Sequence, residues 1–266
     1  MPSRKPQQLR LDQLIVERGL AESRAKAQAL VIAGLVYAGE RRLDKPGQAL
    51  PEDATIEVRG RDHPWVSRGG VKLAHALDAF GVDPAGAVAL DIGASTGGFT
   101  DVLLTRGAAR VYAVDVGHGQ LAWKLRQDPR VVVLERTNAR HLTAAEIPEP
   151  PDLVVCDASF IGLRTVLPAA LALAAGPDAR LIALIKPQFE VGKERVGKGG
   201  VVRDPALHPE VCDTIVSWLA GEMGWHVEGV AESPILGPEG NKEFLVVARR
   251  GGGGEPRDAA AGMSAP

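Results

Sequence analysis

The stretch that decides the fold is Asp91-Ile92-Gly93-Ala94-Ser95-Thr96-Gly97-Gly98-Phe99. It follows an apolar run at 88–91 and precedes a helical pattern at 97–106, which predicts a strand, a glycine-rich turn and a helix. In open α/β sheets, ligands bind beyond the carboxyl ends of the strands, where glycines let the backbone approach them closely. The turn therefore predicts a ligand site at one edge of a parallel sheet.

The glycine spacing and two later residues indicate which ligand this turn takes. The spacing is Gly-x-x-x-Gly, whereas dinucleotide enzymes use Gly-x-Gly-x-x-Gly to hold a pyrophosphate at a helix N-terminus. Asp115 ends the next apolar run, where a carboxylate can accept from both ribose hydroxyls, and Asn138 follows the third run, facing an adenine edge. Strand-end solvation explains either acid alone. The ordered set predicts S-adenosylmethionine, bound by the whole turn, Asp115 and Asn138, with Asp91 accepting from the ammonium through backbone and water.

Apolar runs alternate with helical patterns over the large region 70–249. Continuous apolar strands between helices indicate a parallel sheet that is covered on both faces. The predicted strands are 88–91, 111–115, 131–134, 153–157, 181–186, 225–231 and 243–248, and the predicted helices are 97–106, 119–126, 163–175 and 207–223. No helix separates the last two runs, which predicts an antiparallel final strand. The fold class is α/β, a class I (Rossmann-like) methyltransferase with a mostly parallel seven-stranded sheet.

A smaller region precedes this sheet. A helix-like pattern runs from Arg10 to Gly19, and Ser23 caps a second helix at 24–33, followed by short strands at 35–37 and 54–58. This order predicts a small α+β domain. We predict domains at 7–61 and 70–250, a linker at 62–69 that is docked through Trp65 and Val66, and a disordered tail at 251–266.

Charge, cysteine content and hydropathy restrict the functional class. The first 45 residues hold nine Lys and Arg against five Asp and Glu, while the remainder holds 22 against 28. A basic end on an acidic body indicates either polyanion binding or a solvated surface. Two distant cysteines and unpaired histidines predict no metal site. Because no secretory signal is present and no apolar run reaches the ~18 residues of a membrane span, we expect a cytoplasmic protein without membrane contact or an evident protein partner.

Four polar side chains occur where strands end or helices begin, at the predicted ligand edge. They are Lys72, Asp157, Lys186 and Glu243. A lysine that ends a buried apolar run is unusual, because lost hydration opposes its charge and favours the neutral amine, a usable general base. Each lysine alone is explained equally well as a surface or ion-pair residue. The set of four favours catalysis, with Lys186 as the base.

Both regions resemble known families. The first resembles the S-four-like RNA-binding domain, whose helix pair carries basic side chains onto an RNA backbone. The matching positions are Arg10, Arg24, Lys26, Arg41 and Arg42. The four polar residues resemble the Lys-Asp-Lys-Glu tetrad of FtsJ-like ribose 2′-O-methyltransferases, with no position replaced.

Longer phrases resemble the TlyA family, which joins an S-four-like domain to an FtsJ-like domain. They are SRGG at 67–70, GASTGGFT at 93–100, DVGHGQL at 115–121 and KPQFEVGK at 186–193, and the resemblance extends from about residue 9 to 249. It implies S-adenosylmethionine-dependent methylation of cytidine 2′-hydroxyls in 23S, and in some members 16S, ribosomal RNA on ribosomal subunits. It also implies sensitivity to capreomycin and viomycin. Which subunit is modified stays open.

Within the tetrad we expect Lys186 to take the proton of the 2′-hydroxyl. Lys72 would oppose the charge of Lys186 and steer the ribose or a phosphate. Asp157 would orient Lys186, and Glu243 would position Lys72 or the ribose.

Three other functions are considered. A membrane-active haemolysin is suggested by the family's history, but the sequence offers no spanning segment or cationic amphipathic helix. An RNA-binding protein with an inactive enzymatic fold conflicts with the intact tetrad. A pseudouridine synthase would share the RNA-binding domain but has no use for the methyl-donor turn.

Overall fold

Twelve strands and nine α-helices are found in the computed structural model, which describes residues 8–251 apart from 33, 40, 59–62, 175, 198 and 238–239. The strands are β1 Gln8–Arg10, β2 Val36–Ala38, β3 Arg41–Arg42, β4 Ala49–Pro51, β5 Glu57–Val58, β6 Val88–Ile92, β7 Arg110–Val114, β8 Val131–Leu134, β9 Leu153–Cys156, β10 Arg180–Ile185, β11 Trp225–Glu232 and β12 Phe244–Arg250. The α-helices are α1 Leu11–Glu17, α2 Arg24–Ile32, α3 Gly69–Phe80, α4 Gly98–Thr105, α5 Trp123–Arg126, α6 Leu163–Val166, α7 Pro168–Leu173, α8 Pro187–Glu190 and α9 Leu207–Gly221. Two short 3-10 helices cover Ala139–His141 and Lys193–Arg195.

The central sheet has seven strands in the order β11-β12-β10-β9-β6-β7-β8. Neighbouring strands from β10 to β8 pair in parallel, and β12 pairs antiparallel with both β10 and β11. The predicted α/β class, the seven strands and the antiparallel final strand are therefore confirmed. Because the strand order reverses direction between β6 and β9, the carboxyl ends of these two strands open a crevice for a ligand.

Both faces of this sheet are buried, as the continuous apolar strands predicted. On β9, Val154 and Cys156 belong to one apolar cluster, which also contains side chains of α6, α7 and α9. Leu153 and Val155 belong to a second cluster on the opposite face, with side chains of α3 and α4. The sheet is thus packed between two layers of helices, and polar residues occur mainly at the ends of its strands.

Two predicted helices of this region are wrong in extent. The helix expected at 163–175 is interrupted between α6 and α7, where Pro168 has no amide hydrogen to continue the helical pattern. The helix expected at 119–126 is reduced to α5, because Gly119 has φ 71° and Ala122 is extended, with ψ 137°. The residues before α5 instead form a loop beside the glycine turn.

The N-terminal module, residues 8–58, has its own apolar core, built from α1, α2 and the small strands. Ser23 Oγ accepts from the backbone N–H of Lys26 at 3.3 Å, which confirms Ser23 as the cap of α2. The prediction that both helices precede the sheet is wrong: β1 comes first and pairs with β4, and Arg10 lies in β1 rather than in a helix. A three-stranded sheet of order β3-β2-β5 completes the module.

The predicted linker is docked where the structure describes it. Trp65 packs against the apolar cluster that contains α3, and Val66 is buried, with its backbone N–H donating to Asp101 Oδ2 at 2.9 Å. Lys124 contacts the other oxygen of Asp101 at 2.8 Å. Residues 7, 61, 62 and 252–266 lie outside the described residues, so the domain boundaries and the tail stay predictions.

Candidate active site

A cavity of about 940 Å³ opens at the carboxyl ends of β6, β9 and β10. One wall is the glycine turn, a second carries two lysines and the start of α3, and a third comes from the N-terminal module. Its lining residues are Val16, Ala21, Glu22, Lys26, Ser67, Arg68, Gly69, Lys72, Gly93, Ala94, Ser95, Thr96, Gly98, Phe99, Gly119, Gln120, Asp157, Ser159, Lys186, Ile235, Leu236, Gly237 and Gly240. The strands thus bring together residues that are far apart in the sequence.

The glycines of the turn are required by packing against protein atoms. Gly97 has φ 95°, and a Cβ there would lie 2.3 Å from Leu125 Cδ1 and 2.8 Å from Leu121 Cδ1. A Cβ on Gly93 would lie 2.9 Å from Ala158 Cα. A Cβ on Gly97 therefore points toward the residues around α5 and not into the cavity.

Asp91 lies beneath the turn and is absent from the cavity lining. Its side chain is fully buried, and Thr100 Oγ1 donates to its Oδ2 at 2.6 Å. Burial, aided by the nearby Asp157 carboxylate, raises the pKa of Asp91 to about 7. Asp91 thus ties the start of α4 to the strand, and direct contact with a ligand amine is not part of this arrangement.

Asp115 braces the turn from the neighbouring strand. Its Oδ2 accepts from the backbone N–H of Ser95 at 2.8 Å, and its Oδ1 accepts from that of Gly117 at 2.6 Å. Each carboxylate oxygen keeps a further lone pair for a hydroxyl. Asn138 lies farther along the same edge, where its Oδ1 accepts from the backbone N–H of Arg140 at 3.1 Å. Neither side chain lines the cavity itself.

Lys186 is held by three oxygens at the cavity wall. It follows β10 directly, its side chain is 6% exposed, and its Nζ lies 2.6 Å from Asp157 Oδ1. The same Nζ donates to the backbone carbonyl of Asp157 at 3.1 Å and to Ser159 Oγ at 2.9 Å. An ammonium has three N–H donors, so these three contacts orient the group fully.

Lys72 forms a second buried ion pair. It projects from the first turns of α3, and its Nζ lies 2.5 Å from Glu243 Oε2, with side-chain exposures of 8% for Lys72 and 0% for Glu243. Glu243 stands next to β12, and Lys72 lines the cavity. The structure therefore brings the four tetrad positions together as two buried pairs at one sheet edge.

The five predicted RNA-binding cations differ in their surroundings. Arg10 and Arg24 both contact the fully buried Asp12, at 2.9 Å and 3.2 Å, and these contacts hold the pKa of that carboxyl well below its usual range. Arg41 and Arg42 form β3 and are exposed. Lys26 pairs with Glu22 and lines the cavity.

Several residues of the site were missed by the sequence reasoning. Ser159 follows Asp157 by two positions, a small polar residue just past a strand end, and that signal was available. Glu135 accepts from the backbone N–H of Gln120 and contacts His118 and Arg126. Although burial opposes it, a hydrogen bond from the Gly119 backbone and the contacts with Arg126 and His118 lower the pKa of Glu135 to about 2, and they fix the loop before α5. No local sequence pattern predicts the contacts of Glu135, because its partners are 9 to 17 residues away in the sequence.

Comparison with known proteins identifies the family. The family described as FtsJ-like methyltransferase matches residues 65–250, and the S4 domain, the S-four-like module of the sequence analysis, matches residues 9–56. The 16S/23S rRNA (cytidine-2′-O)-methyltransferase TlyA of Mycobacterium tuberculosis is 53% identical over 241 residues, covering 90% of this chain and 89% of that protein. The chain belongs to the TlyA family of FtsJ-like methyltransferases.

Two further similar proteins cover most of the chain. YqxC of Bacillus subtilis is 51% identical over 238 residues, covering 89% of this chain and 84% of that one. A solved Streptococcus thermophilus structure that carries a hemolysin name matches with a TM-score of 0.73 and 40% identity, covering 96% of this chain and 92% of that chain. Within the described residues, no helix is both long and apolar enough to cross a bilayer.

Proposed function

We propose that this methyltransferase transfers a methyl group from S-adenosylmethionine to the 2′-hydroxyl of a cytidine in ribosomal RNA. The observation that carries the proposal is the pair of buried lysine–carboxylate contacts that face the glycine turn across one cavity. The name of the Mycobacterium tuberculosis relative supports cytidine in ribosomal RNA as the substrate.

The cavity fits the cofactor in size and in chemistry. Cofactor pockets typically measure about 300–1,000 Å³, and the turn presents backbone rather than side-chain bulk to this one. Gly93 to Thr96 would follow the amino-acid end, Asp115 would accept from the ribose hydroxyls, and Asn138 would meet the adenine edge. Asp115 is already oriented by two backbone N–H groups, which reduces the ordering needed on binding. When bound, the cofactor supplies an electrophilic methyl group.

Lys186 is the residue we assign to the proton of the 2′-hydroxyl. After it loses one proton, its Nζ keeps two donors for the Asp157 oxygens and gains a lone pair. That proton passes to solvent before the reaction, and Ser159 Oγ moves away from the Nζ, so that the single lone pair accepts the 2′-hydroxyl proton as the oxygen attacks. Asp157 keeps the amine in place throughout.

Lys72 is the cation we assign to substrate positioning. Its pair with Glu243 is almost fully buried and Lys72 lines the cavity, so its charge would act on whatever enters. A ribose oxygen or a phosphate of RNA is the natural partner of such a group. Glu243 would hold Lys72 in one orientation through this contact.

RNA contact is assigned to the exposed cations of the N-terminal module, above all Arg41 and Arg42. Near the cavity, Phe160 offers a stacking surface: it follows Ser159, is 91% exposed, and has φ 65°, which costs backbone strain. One side of its ring packs against Phe189, with the ring centroids 5.3 Å apart. Unpaired bases stack on such aromatic rings.

Methylation of isolated 30S subunits, 50S subunits and naked ribosomal RNAs with labelled cofactor tests the proposal. We expect label on a cytidine 2′-oxygen in at least one subunit, with much slower labelling by the Lys186→Ala variant. Label on a base, or on no RNA, would contradict the proposal. Cells that carry the active protein should also be more sensitive to capreomycin than cells with the Lys186→Ala variant.

A further inference from the structure

The N-terminal module is seated directly against the α/β domain at one glycine. Gly19 lies in the turn between α1 and α2, is buried, and has φ 64°. A Cβ on Gly19 would lie 2.4 Å from Ala122 Cβ. Ala122 is 1% exposed, and its backbone N–H donates to the Thr96 carbonyl of the glycine turn at 3.0 Å. The two units therefore touch next to the candidate cofactor site.

This contact makes the N-terminal module a wall of the catalytic cavity. Val16, Ala21, Glu22 and Lys26 line the same cavity as Lys72 and Lys186. Lys26 is the cation that this wall contributes. Its place differs from that of Arg41 and Arg42, which are exposed on β3 and do not line the cavity.

The partner of Lys26 is easily replaced, in contrast to the partners of the two buried lysines. Lys26 pairs with Glu22, which lies four residues earlier and just before α2, and the two side chains are 55% and 38% exposed. An exposed ion pair of this kind contributes little to stability, because water and salt screen it. A phosphate offers a charge-assisted hydrogen bond with more acceptor oxygens than the single Glu22 contact. A phosphate that enters the cavity can therefore replace Glu22 as the ion-pair partner of Lys26.

We infer that Lys26 binds a phosphate next to the reacting ribose, so that the N-terminal module positions the 2′-hydroxyl and does more than hold the RNA. This inference rests on the proposed function. Within one nucleotide the 2′-hydroxyl and the 3′-phosphate are neighbours, so a nucleotide whose ribose faces Lys186 brings its phosphates into the same cavity. Lys26 fixes the RNA from one wall while Lys186 receives the proton at another. Lys26 is a positioning residue and not a base.

Single-turnover methyl transfer at saturating ribosomal subunits separates positioning from affinity. Misplacement of a substrate by about 1 Å can cost roughly 10²-fold in rate. We expect Lys26→Ala to lower the saturating rate about 10- to 100-fold, and Lys26→Arg to restore most of it because it keeps the charge. The matched control is Lys45→Ala, an exposed cation of the same module that does not line the cavity, which should leave the saturating rate unchanged.

Each other outcome has a defined meaning. A Lys26→Ala variant with a normal saturating rate and weaker binding would overturn the inference, as would a rate loss that comes only from weaker cofactor binding. If the wild-type protein labels no RNA, the proposed function fails instead. Normal wild-type transfer with an unaffected Lys26→Ala variant counts against Lys26 alone.

The seat at Gly19 gives a second, independent test. Gly19→Ala places a methyl group 2.4 Å from Ala122 Cβ and 3.0 Å from Ala122 Cα. Combining it with Ala122→Gly removes the nearer of these two contacts. Both proteins carry the same strain of alanine at positive φ, so their difference isolates the contact with the Ala122 methyl group. We expect the saturating rate to fall in the single variant and to recover in part in the pair, with Ala122→Gly alone as the control. A full rate in Gly19→Ala, or a folded pair that is no faster than Gly19→Ala, would overturn the inference.

Discussion

The cations of the α/β domain and those of the N-terminal module are held in opposite ways. Lys72 and Lys186 are buried, and each faces a carboxylate that is itself mostly or fully buried. Arg41 and Arg42 form β3 and are exposed to solvent. Buried pairs fix geometry, because breaking one leaves an unpaired charge in a poorly solvated site. Exposed cations exchange partners and respond to salt. The comparison teaches that the first set suits chemistry and the second suits binding.

The largest effect should follow from removing Lys186. Loss of a general base costs ~10²–10⁴ in rate. We expect Lys186→Ala to lower the single-turnover rate within that range and to leave affinity for ribosomal subunits within a few fold of wild type. Lys186→Arg keeps the charge but does not release a proton near neutral pH, so it should be equally slow. A fast arginine variant would reduce Lys186 to a fixed charge. Melting temperature and cofactor affinity, measured alongside, exclude unfolding.

Asp91 is a third kind of buried charged residue, a carboxylate that contacts no cation among the residues that the structure describes. Its pKa of about 7 lies above the value of ~3.9 expected in the unfolded chain. The stabilisation from its protonated form is complete below pH 4 and is lost as the pH rises through 7. Relative to Asp91→Asn, the wild-type free energy of unfolding should therefore fall between pH 4 and pH 8, by on the order of 4 kcal/mol at most.

Urea unfolding of both proteins across this pH range measures the difference. Parallel pH curves for wild type and Asp91→Asn would show that Asp91 is ionised in the folded protein throughout. Thr100→Val removes the donor to Asp91 and should raise the pKa of Asp91 further. The free energy of unfolding should then fall more between pH 4 and pH 8 than it does in the wild type.

Asp12 of the N-terminal module should show the opposite pH dependence, because its pKa is lowered whereas that of Asp91 is raised. This buried carboxylate accepts from Arg10, Arg24 and Gln28, and its pKa is lowered. Its stabilisation is present above the unfolded value of ~3.9 and is lost as the pH falls below it. Hydrogen bonds to a charged group contribute ~1.5–3 kcal/mol, so Asp12→Asn should destabilise the module by about 2 kcal/mol at neutral pH. Hydrogen exchange in α1 and α2 measures this; unchanged protection there would mean that Asp12 contributes nothing.

The smallest effect is expected from the exposed arginines. Each phosphate contact that is lost removes about 0.9 from the log–log salt slope on a duplex. Arg41→Ala with Arg42→Ala should weaken binding to ribosomal subunits modestly at low salt and lower the slope by roughly one to two. Filter binding from 50 to 200 mM salt measures both. A slope equal to that of wild type would place the RNA on another surface.

The sheet was predictable because its signal is local. Seven apolar runs with turns between them suffice to give strands, and the polar residues at their ends mark the ligand edge. The tetrad positions lie at the predicted edge for the same reason. The short extent of α5 was not predicted, because Leu121 and Leu125 give a helical period while Gly119 has positive φ.

Contacts between distant residues could not be predicted from local patterns. The engagement of Arg10 and Arg24 with Asp12 depends on how the module folds, so these arginines could not be distinguished from Arg41 and Arg42 in the sequence. The direction of a Cβ at Gly97, the burial of Asp91 and the seat of Gly19 on Ala122 likewise depend on packing between elements. Sequence patterns predict which helix or strand a residue belongs to. The contacts of its side chain depend on how those helices and strands pack together.

The most direct test of the account measures rate and affinity together as salt is varied. The saturating single-turnover rate and the dissociation constant for ribosomal subunits would be obtained from 50 to 200 mM salt, for wild type, Lys186→Ala and Arg41→Ala with Arg42→Ala. We predict that salt changes the dissociation constant steeply and the saturating rate little, that Lys186→Ala loses rate without a change in slope, and that the arginine variant loses slope without a change in rate. A Lys186→Ala variant with a flattened slope and a normal saturating rate would contradict the assignment of chemistry to the buried pairs.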